Sequence, residues 1–374
     1  MPAMSKSQAP APRVRGVRVL RRGAASRGQG SVALALIAVD AMGGDNAPHA
    51  PLAGALYALA ELDREYAVQL VGHAGTIDDH LIALTTGDLS ALAPMRARIE
   101  VVDAPEVVAM TDPPSVVLRG KTRSSMAIGL RLQVEGRSQA FVSAGNTGAQ
   151  MAASAKLLGV HPGVDRPAIC TLFPTAREPV VVLDSGANVD CSAGQLVQFA
   201  HLGSVYAEDI LGRTNPVIGL LSIGEEPEKG NAVVKEAHHR LREAGLNFQG
   251  NVEGRDIPRG ASERGPIDVV VCDGFVGNVL LKFYEAVAPM IFGMLTARGV
   301  DISALGAAGS ALDYSWWGGA PLLGVRGVSI ICHGKSSARA IANAIKAAAR
   351  AVESRMSEHI GRRLADTVVA ATPR

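Results

Sequence analysis

The sequence predicts one α/β domain with a three-layer αβα arrangement and a largely parallel, Rossmann-like central sheet. Short apolar runs followed by turn residues alternate with segments of helical spacing between residues 33 and 365. This alternation is typical of parallel strands joined by right-handed helical crossovers. The 374-residue chain is also rich in glycine, at 41 residues, and contains only 4% aromatic residues. Many tight strand-to-helix turns are therefore favoured over an aromatic-packed β-sandwich.

The predicted strands are the short apolar runs Ala33–Val39, Ala67–Val71, Ile99–Val102, Ala140–Val142, Ala168–Phe173, Val180–Leu183, Val217–Leu221, Ile267–Cys272 and Val328–Cys332. Helical spacing predicts helices at Leu52–Leu62, Ser124–Val134, Ala149–Leu158, Gln195–Leu211, Ala232–Ala244 and Ser337–Met356. Residues 283–313 do not follow this alternation of strands and helices, because a predicted apolar helix at Ala286–Leu295 is followed by a run of small residues. We expect this segment to be a helical excursion from the sheet.

The first 32 residues are predicted to be a disordered basic extension. Residues 1–30 contain seven lysine and arginine residues and no acid, so the net charge of +2 becomes about −5 for the rest of the chain. A segment without apolar periodicity cannot offset the entropy cost of ordering. Because the positive charge belongs to this tail and not to a folded face, nucleic acid is not an expected partner. Residues 366–374 are predicted to be a flexible tail.

The cysteines indicate a reduced, cytoplasmic protein. Cys170, Cys191, Cys272 and Cys332 are far apart in the sequence and form no C-x-x-C pair, so neither a disulfide framework nor a zinc site is predicted. No run reaches the roughly 18 apolar residues needed to cross a bilayer. We expect no metal and no cofactor.

Five loops rich in Gly, Asn and Asp follow predicted strands and carry the functional signal. Their sequences are VDAMGGDNAP at 39–48, SAGNTG at 143–148, LDSGANVD at 183–190, CDGFVGN at 272–278 and CHGKSS at 332–337. Ligands of open α/β sheets bind outside the carboxyl ends of the strands. Glycine allows close backbone approach, and helix N-termini attract anions. We therefore expect the five loops to form a cleft for a small anion at one sheet edge.

Several familiar motifs are missing from the sequence. It has no G-x-x-x-x-G-K-[ST], and no G-x-G-x-x-G between the first strand and its helix. It also lacks G-x-S-x-G and H-E-x-x-H. Nucleotide binding, a covalent hydrolase and a zinc enzyme are disfavoured, and direct transfer to a bound anion is favoured.

The chain resembles the bacterial phosphate acyltransferase family of phospholipid synthesis. The matching strings include VDAMGGDNAP, SAGNTGAQM, VLDSGANVDC, EKGN at 228–231, CDGFVGNVLLK and GGAPLLGVRG at 318–327. The resemblance covers residues 36–350 and implies a fold related to phosphotransacetylases and isopropylmalate dehydrogenases. It also implies acyl transfer from acyl-[acyl carrier protein] to inorganic phosphate by a homodimer, without a cofactor.

The resemblance places the chemistry on Lys229 and Asn278, with Asp273 orienting the lysine or capping a helix. A solvated surface lysine is the competing interpretation of Lys229. The residues expected to line the phosphate and substrate cleft are Asp40, Gly43, Gly44, Asp45, Asn46, Asn146, Thr147, Asn188 and His333. Asn46 stands where the family usually carries histidine, so an imidazole is not obligatory there.

The acyl carrier protein is acidic, so a basic docking surface is expected, and Arg119, Lys121 and Arg123 supply one. A plain solvated loop is the competing interpretation. In the family that the chain resembles, this helical excursion forms a membrane-facing tip at the dimer. It implies peripheral contact with the membrane and with a downstream membrane glycerol-3-phosphate acyltransferase. Here the segment 283–313 is shorter than usual, and Trp316 and Trp317 serve either as interfacial anchors or in packing.

The sequence leaves three other functions to be compared with acyl transfer from a carrier protein. A phosphotransacetylase-like enzyme that uses acyl-coenzyme A would share the thioester chemistry and the fold. A decarboxylating NAD-dependent dehydrogenase is disfavoured, because no acidic metal cluster or adenosine signature is present. A non-enzymatic acyl-lipid or carrier-binding scaffold would not require so many polar glycine loops.

Overall fold

The computed structural model of the protein describes residues 14–15, 35–300 and 318–370. Its strands are β1 (Val14–Arg15), β2 (Ala35–Asp40), β3 (Tyr66–Gly72), β4 (Ile99–Asp103), β5 (Ala140–Ser143), β6 (Ala168–Ile169), β7 (Thr171–Phe173), β8 (Val180–Leu183), β9 (Ile218–Leu221), β10 (Phe248–Val252), β11 (Ala261–Ser262), β12 (Gly265–Pro266), β13 (Val269–Val271), β14 (Ala320–Leu323) and β15 (Ser329–Ile331). Its helices are α1 (His49–Glu61), α2 (Ala74–Thr86), α3 (Val116–Arg119), α4 (Ser125–Val134), α5 (Thr147–Leu157), α6 (Ala193–Asp209), α7 (Ala232–Glu243), α8 (Gly274–Thr296), α9 (Ala338–Glu353) and α10 (Met356–Ala370), with a 3-10 helix at Ser90–Arg98.

The strands form two large sheets and one hairpin. The first sheet has the order β1-β4-β3-β2-β5-β15-β14-β6, the second has the order β10-β9-β13-β8-β7, and β11 pairs with β12. Pairing is parallel from β4 to β15 and from β10 to β8, whereas β1, β14 and β7 run antiparallel to their neighbours. The largely parallel architecture predicted from the sequence is confirmed. The chain passes between the sheets at Cys170, which separates β6 from β7.

Both faces of the second sheet are buried, which explains why its strands are continuous apolar runs. In β8, Val181 and Leu183 belong to the largest hydrophobic cluster, which includes residues of α1, α6 and α9. Val180 and Val182 point the other way, into a cluster that α8 joins through Leu281. Helices α4 and α5 cover the outer face of the first sheet. The result is the expected stack of helix, sheet and helix.

The ends of the chain are described only in part. Within the predicted extension 1–32, Val14–Arg15 pairs with Val101–Val102 of β4, and the other residues lie outside the described ones. Helix α10 continues to Ala370, into the segment expected to be a tail. The proposed domain boundaries stay predictions.

Helix α8 starts well before the helical excursion expected at 283–313, of which residues 301–313 lie outside the described part. Trp316 and Trp317 also lie outside it. Among the described residues, helix α8 is long and apolar enough to cross a membrane, judged by length and composition alone. Only 6% of its most apolar stretch is buried. Lys282 and Glu285 interrupt its apolar residues, which is why the sequence shows no uninterrupted apolar run of 18 residues, but the helix as a whole is apolar enough to meet this criterion.

Candidate active site

The glycine-rich loops lie at the carboxyl ends of two sheets and not at one edge. Loops 39–48, 143–148 and 332–337 follow the adjacent strands β2, β5 and β15 of the first sheet. Loops 183–190 and 272–278 follow the adjacent strands β8 and β13 of the second sheet, where the loop after β9 joins them. The expectation of a single edge is wrong, because the crossing at Cys170 divides the strands between two sheets. The loops therefore form two groups.

The first group is built by close backbone contacts between loops. Gly44 has a φ of 99°, and a Cβ there would lie 3.0 Å from the carbonyl oxygen of Gly334. The next residue, Asp45, donates its backbone N–H to that carbonyl at 2.7 Å. A Cβ on Gly43 would lie 2.8 Å from the backbone nitrogen of Gly145. Both glycines are thus required by the approach of a neighbouring loop.

Asp40 is the buried centre of this group. Its carboxylate accepts hydrogen bonds from the Ser143 hydroxyl at 2.7 Å and from the Met42 N–H at 3.1 Å. Burial raises the pKa of Asp40, and its hydrogen bonds oppose that shift. Asp40 therefore ties β2 to β5 below the loops, with its side chain only 3% exposed.

The asparagines and the histidine of the first group contact the protein itself. Asn146 accepts from the Ala149 N–H, capping α5, and donates its amide to the carbonyls of Ala109, Met110 and Asp112 at 3.0–3.2 Å. Asn46 contacts the carbonyls of Lys335 and Ser336 at 3.3 Å. His333 is exposed, and its Nδ1 accepts from the Lys335 N–H. Thr147 begins α5 and is half-buried. Their role in phosphate binding stays a prediction.

Asp184 organises the second group, although the sequence did not single it out. One carboxylate oxygen accepts from the backbone N–H groups of Ile169, Gly186 and Ala187 at 3.0–3.2 Å. The other accepts from the N–H and the amide of Asn188, at 2.6 and 2.9 Å. Burial raises the pKa of Asp184, and the hydrogen bonds oppose the shift. Because the second amide hydrogen of Asn188 goes to the Pro167 carbonyl at 2.9 Å, this side chain also holds the loop.

The N-terminus of α8 packs directly on this loop. A Cβ on Gly277 would lie 1.9 Å from the carbonyl oxygen of Asp184, and one on Gly274 would lie 2.6 Å from that of Asn188. Asp273 caps the helix by accepting from the Val276 N–H at 2.8 Å. Asn278 is exposed, and its side chain lies over Gly186. Capping is thus one established role of Asp273.

Lys229 lies in the loop between β9 and α7. Its backbone N–H bonds to the Glu226 carbonyl at 3.0 Å, and its side-chain stem lies over Gly224, where a Cβ would come within 2.9 Å of it. The side chain is exposed and forms no ion pair with another described residue, although three glutamates lie within four residues of it. Its ammonium group is therefore free to meet a ligand.

A cleft of about 720 Å³ lies between these elements. Its lining comes from the loop after β8, the end of β9 with the loop that follows, the start of α7 and the start of α8. The polar and thiol side chains among the lining residues are Asp190, Cys191, Ser222, Asn231, Cys272 and Asp273. The lining residue Gly230 directly follows Lys229. The second group of loops thus surrounds a cavity large enough for part of an organic substrate.

The comparisons with known proteins decide the family. A family model described as fatty acid synthesis protein matches residues 35–359. Relatives named phosphate acyltransferase, from Heliobacterium modesticaldum and Desulforamulus reducens, are 47% and 48% identical to the chain. The alignments cover 87% and 85% of this chain and 97% and 93% of the relatives.

The chain belongs to the phosphate acyltransferase family. It is an acyltransferase whose substrates are an acyl group and phosphate, and the resemblance found in the sequence is confirmed.

Solved structures confirm the fold class. A phosphotransacetylase from Streptococcus pyogenes has a TM-score of 0.57 at 17% identity, covering 87% of this chain and 94% of that one. A branched-chain phosphotransacylase from Enterococcus faecalis has a TM-score of 0.54 at 16% identity, covering 85% and 99%. At these identities the likeness shows that the phosphate acyltransferase shares the phosphotransacetylase fold.

The basic residues expected to dock a carrier lie beside the first group of loops. Arg119 and Arg123 are exposed, whereas Lys121 is half-buried and its Nζ lies 2.5 Å from a carboxylate oxygen of Asp112. The hydrogen bond from Lys121 lowers the pKa of Asp112. The backbone carbonyl of Asp112 also accepts from Asn146. Of the three basic residues, Lys121 is thus the one that forms an ion pair with a described residue, and their role in carrier docking stays a prediction.

The cysteines are free thiols in the phosphate acyltransferase structure. Burial raises the pKa of Cys332 to about 12 and that of Cys191 to about 11, and it raises those of Cys170 and Cys272 well above the usual value. They are therefore poor nucleophiles at neutral pH. Within the described residues, no group of three or more potential ligand side chains is placed to hold a metal ion.

Proposed function

We propose that this phosphate acyltransferase moves a fatty acyl group from acyl-[acyl carrier protein] to inorganic phosphate, giving acyl phosphate for phosphatidic acid and phospholipid synthesis. The observation that carries the proposal is the exposed side chain of Lys229, which directly precedes the cleft-lining residue Gly230 and forms no ion pair with another described residue. A cation at the edge of this cleft suits an oxyanion that develops during acyl transfer.

The reaction requires little from protein bases. Inorganic phosphate is largely ionised at neutral pH, so one of its oxygens attacks the thioester carbonyl directly. The carbonyl oxygen becomes an oxyanion, which Lys229 and Asn278 stabilise as donors. The carbon–sulfur bond then breaks, the pantetheine thiolate leaves, and the new carbon–oxygen bond joins the acyl group to phosphate. Positioning and charge stabilisation supply the rate enhancement.

Asp273 and the loop side chains act mainly by holding this arrangement. Asp273 caps α8 by accepting from the Val276 N–H and thereby fixes the start of the helix that lines the cleft. In the first group of loops, the backbones of Gly43, Gly44, Asp45 and Asn146 together with the start of α5 form the seat we propose for phosphate. The support for this role is the N-terminus of α5, which begins directly after Asn146 in this group of loops.

An apolar surface on α8 supports the homodimer and a peripheral contact with the membrane. The exposed apolar side chains of this helix are Phe275, Val276, Val279, Phe283, Met290, Ile291 and Met294. A continuous apolar surface of this kind marks a protein or membrane interface. We assign it to the homodimer interface and to association of this cytoplasmic enzyme with the membrane that holds a downstream glycerol-3-phosphate acyltransferase.

The acyl donor separates this proposal from the coenzyme A alternative. We expect palmitoyl-carrier protein to be used with a kcat/KM at least about tenfold higher than palmitoyl-coenzyme A, since the exposed arginines attract an acidic protein. The double substitution Arg119→Glu and Arg123→Glu should lower kcat/KM for the carrier donor by about tenfold and leave that for coenzyme A unchanged.

The matched control is Arg242→Glu, an exposed arginine in the last turn of α7. Initial rates with both donors should be measured at low and high salt, because screening weakens charge steering. A preference for the coenzyme A donor that the arginine substitutions leave untouched would assign the enzyme to the alternative class.

A further inference from the structure

The main chain of the Lys229 loop is held by one buried side chain. Asn251 on β10 is 1% exposed and donates its Nδ2 to the Glu226 carbonyl at 2.8 Å. The same carbonyl accepts the N–H of Lys229 at 3.0 Å. The turn that ends at Lys229 is therefore fixed to the second sheet through a single oxygen atom.

The orientation of Asn251 determines the proton position on His238. A backbone carbonyl can only accept, so the amide nitrogen of Asn251 must face Glu226 and its Oδ1 must face the other way. The Nδ1 atom of His238 lies 2.8 Å from that Oδ1. Because Oδ1 has no proton, the neutral imidazole must carry its hydrogen on Nδ1.

His238 is connected to the other end of the same loop through helix α7. It is 6% exposed on α7, and its ring packs edge-on against Phe248 with centroids 5.3 Å apart. Helix α7 begins directly after the loop, with Asn231 as its cap. The main chain therefore leads from Lys229 through α7 to His238. Hydrogen bonds then connect His238 to Asn251 and Asn251 back to Glu226, which precedes Lys229.

A second support joins the loop from the β11–β12 hairpin. The guanidinium of Arg264 donates to the Gln249 carbonyl at 2.6 Å and to the Glu225 carbonyl at 3.3 Å. Gly250 has a φ of 114°, and a Cβ there would lie 2.1 Å from Nη1 of Arg264. Residue 250 therefore has no side chain at the place where Arg264 crosses β10 to reach the loop.

We propose that Asn251 and His238 are positioning residues that set Lys229 at the cleft. The inference rests on the role proposed for Lys229. Both side chains are nearly fully buried, and neither is among the residues that line the cleft. They act on the reaction through Glu226 and Lys229 and not by touching substrate.

The first test is Asn251→Asp, which keeps the shape of the side chain and removes the donor to Glu226. We expect kcat for acyl phosphate formation to fall by about tenfold to a hundredfold, as a displacement of about 1 Å can do, with the KM for the acyl donor unchanged. The matched control is Asn247→Asp. Its amide donates to the Asn215 carbonyl at 2.9 Å, outside the Lys229 loop, and this variant should retain wild-type kcat.

A double-mutant cycle separates positioning from a general loss of structure. In a Lys229→Ala background, Asn251→Asp should lower kcat by less than about twofold, because the group that it positions is already gone. Multiplicative losses in the double variant would overturn the proposal. If Lys229→Ala alone were fully active, the proposed role of Lys229 would fail instead, and the two failures are thus distinguishable.

The proposed role of His238 can also be tested by a measurement that does not depend on activity. Nitrogen-15 NMR of the wild-type protein should show His238 protonated on Nδ1 at neutral pH, and a hydrogen on Nε2 alone would overturn the proposal. His238→Asn keeps an N–H donor near the Nδ1 position, so we expect it to retain at least about threefold more kcat than His238→Leu. Equal losses in the two variants would also overturn it. The control His239→Leu changes an exposed neighbour and should be neutral.

Discussion

Replacing Lys229 by alanine should lower kcat/KM for acyl phosphate formation by about two to three orders of magnitude, the usual effect of removing one oxyanion donor. The fold should survive, because the side chain is exposed and makes no ion pair with the described residues. Steady-state kinetics with a fixed acyl donor and varied phosphate, beside a thermal melt of each protein, measure both effects.

Lys235→Ala is the matched control, since Lys235 is an exposed lysine on the adjoining helix α7. Its kinetics should equal those of the wild type. Lys229→Arg keeps the charge but changes the donor geometry, and we expect an intermediate rate. Full activity of Lys229→Ala would return this residue to the solvated surface and remove it from the mechanism.

Gly277→Ala should produce the largest loss of stability of any single methyl group added near the cleft. The new Cβ would lie 1.9 Å from the backbone oxygen of Asp184, which no side-chain rotation can relieve. We expect the free energy of unfolding to fall by about 1–3 kcal/mol, as in other overpacked interiors. Activity should fall as well, because Asp273 and Asn278 move with the helix. Urea unfolding and kinetics test the two effects.

Gly293→Ala on the same helix is the control, because a Cβ there meets no described atom within 4 Å. Alanine favours helix over glycine by about 1 kcal/mol, so this variant should be as stable as the wild type or more stable. Equal stabilities of the two variants would contradict the tight contact between α8 and the loop after β8.

Strands buried on both faces were the elements most easily predicted. The run Val180–Leu183 matches β8 residue for residue, because it is continuously apolar and lies between Pro179 and a polar loop. Strand β10 was missed, since Gly250 and Asn251 lower its strand propensity. Strand β14 was missed because Pro321 and the glycines before it resemble a turn; two neighbouring strands make it part of the sheet.

Helix α2 was not predicted, because polar residues interrupt the helical spacing of its apolar residues. Its buried side chains are Ile77, Leu81 and Leu84, at helical spacing, among half-buried and exposed threonine and aspartate residues. The division into two sheets could not be predicted from local patterns. It depends on which strands pair across Cys170, and that is a long-range property of the chain.

The sequence predicted which loops surround the site, but it did not predict the roles of individual side chains. Asparagine can donate to a phosphate or to a backbone carbonyl, and residue type alone does not distinguish the two. In the structure Asn146 and Asn188 donate to carbonyls of their own fold. Asp184 was overlooked, although an aspartate directly after an apolar strand and before Ser-Gly-Ala-Asn could have indicated a loop held by one carboxylate.

The most direct test of the central claim is incubation of the purified protein with palmitoyl-carrier protein and radiolabelled phosphate. We predict labelled acyl phosphate, whose label returns to inorganic phosphate when hydroxylamine converts the acyl group to a hydroxamate. One carrier thiol should be freed for each acyl group transferred, and no product should form without phosphate. Release of the acyl group as free fatty acid, or no labelled product from correctly folded protein, would contradict transfer of the acyl group to phosphate.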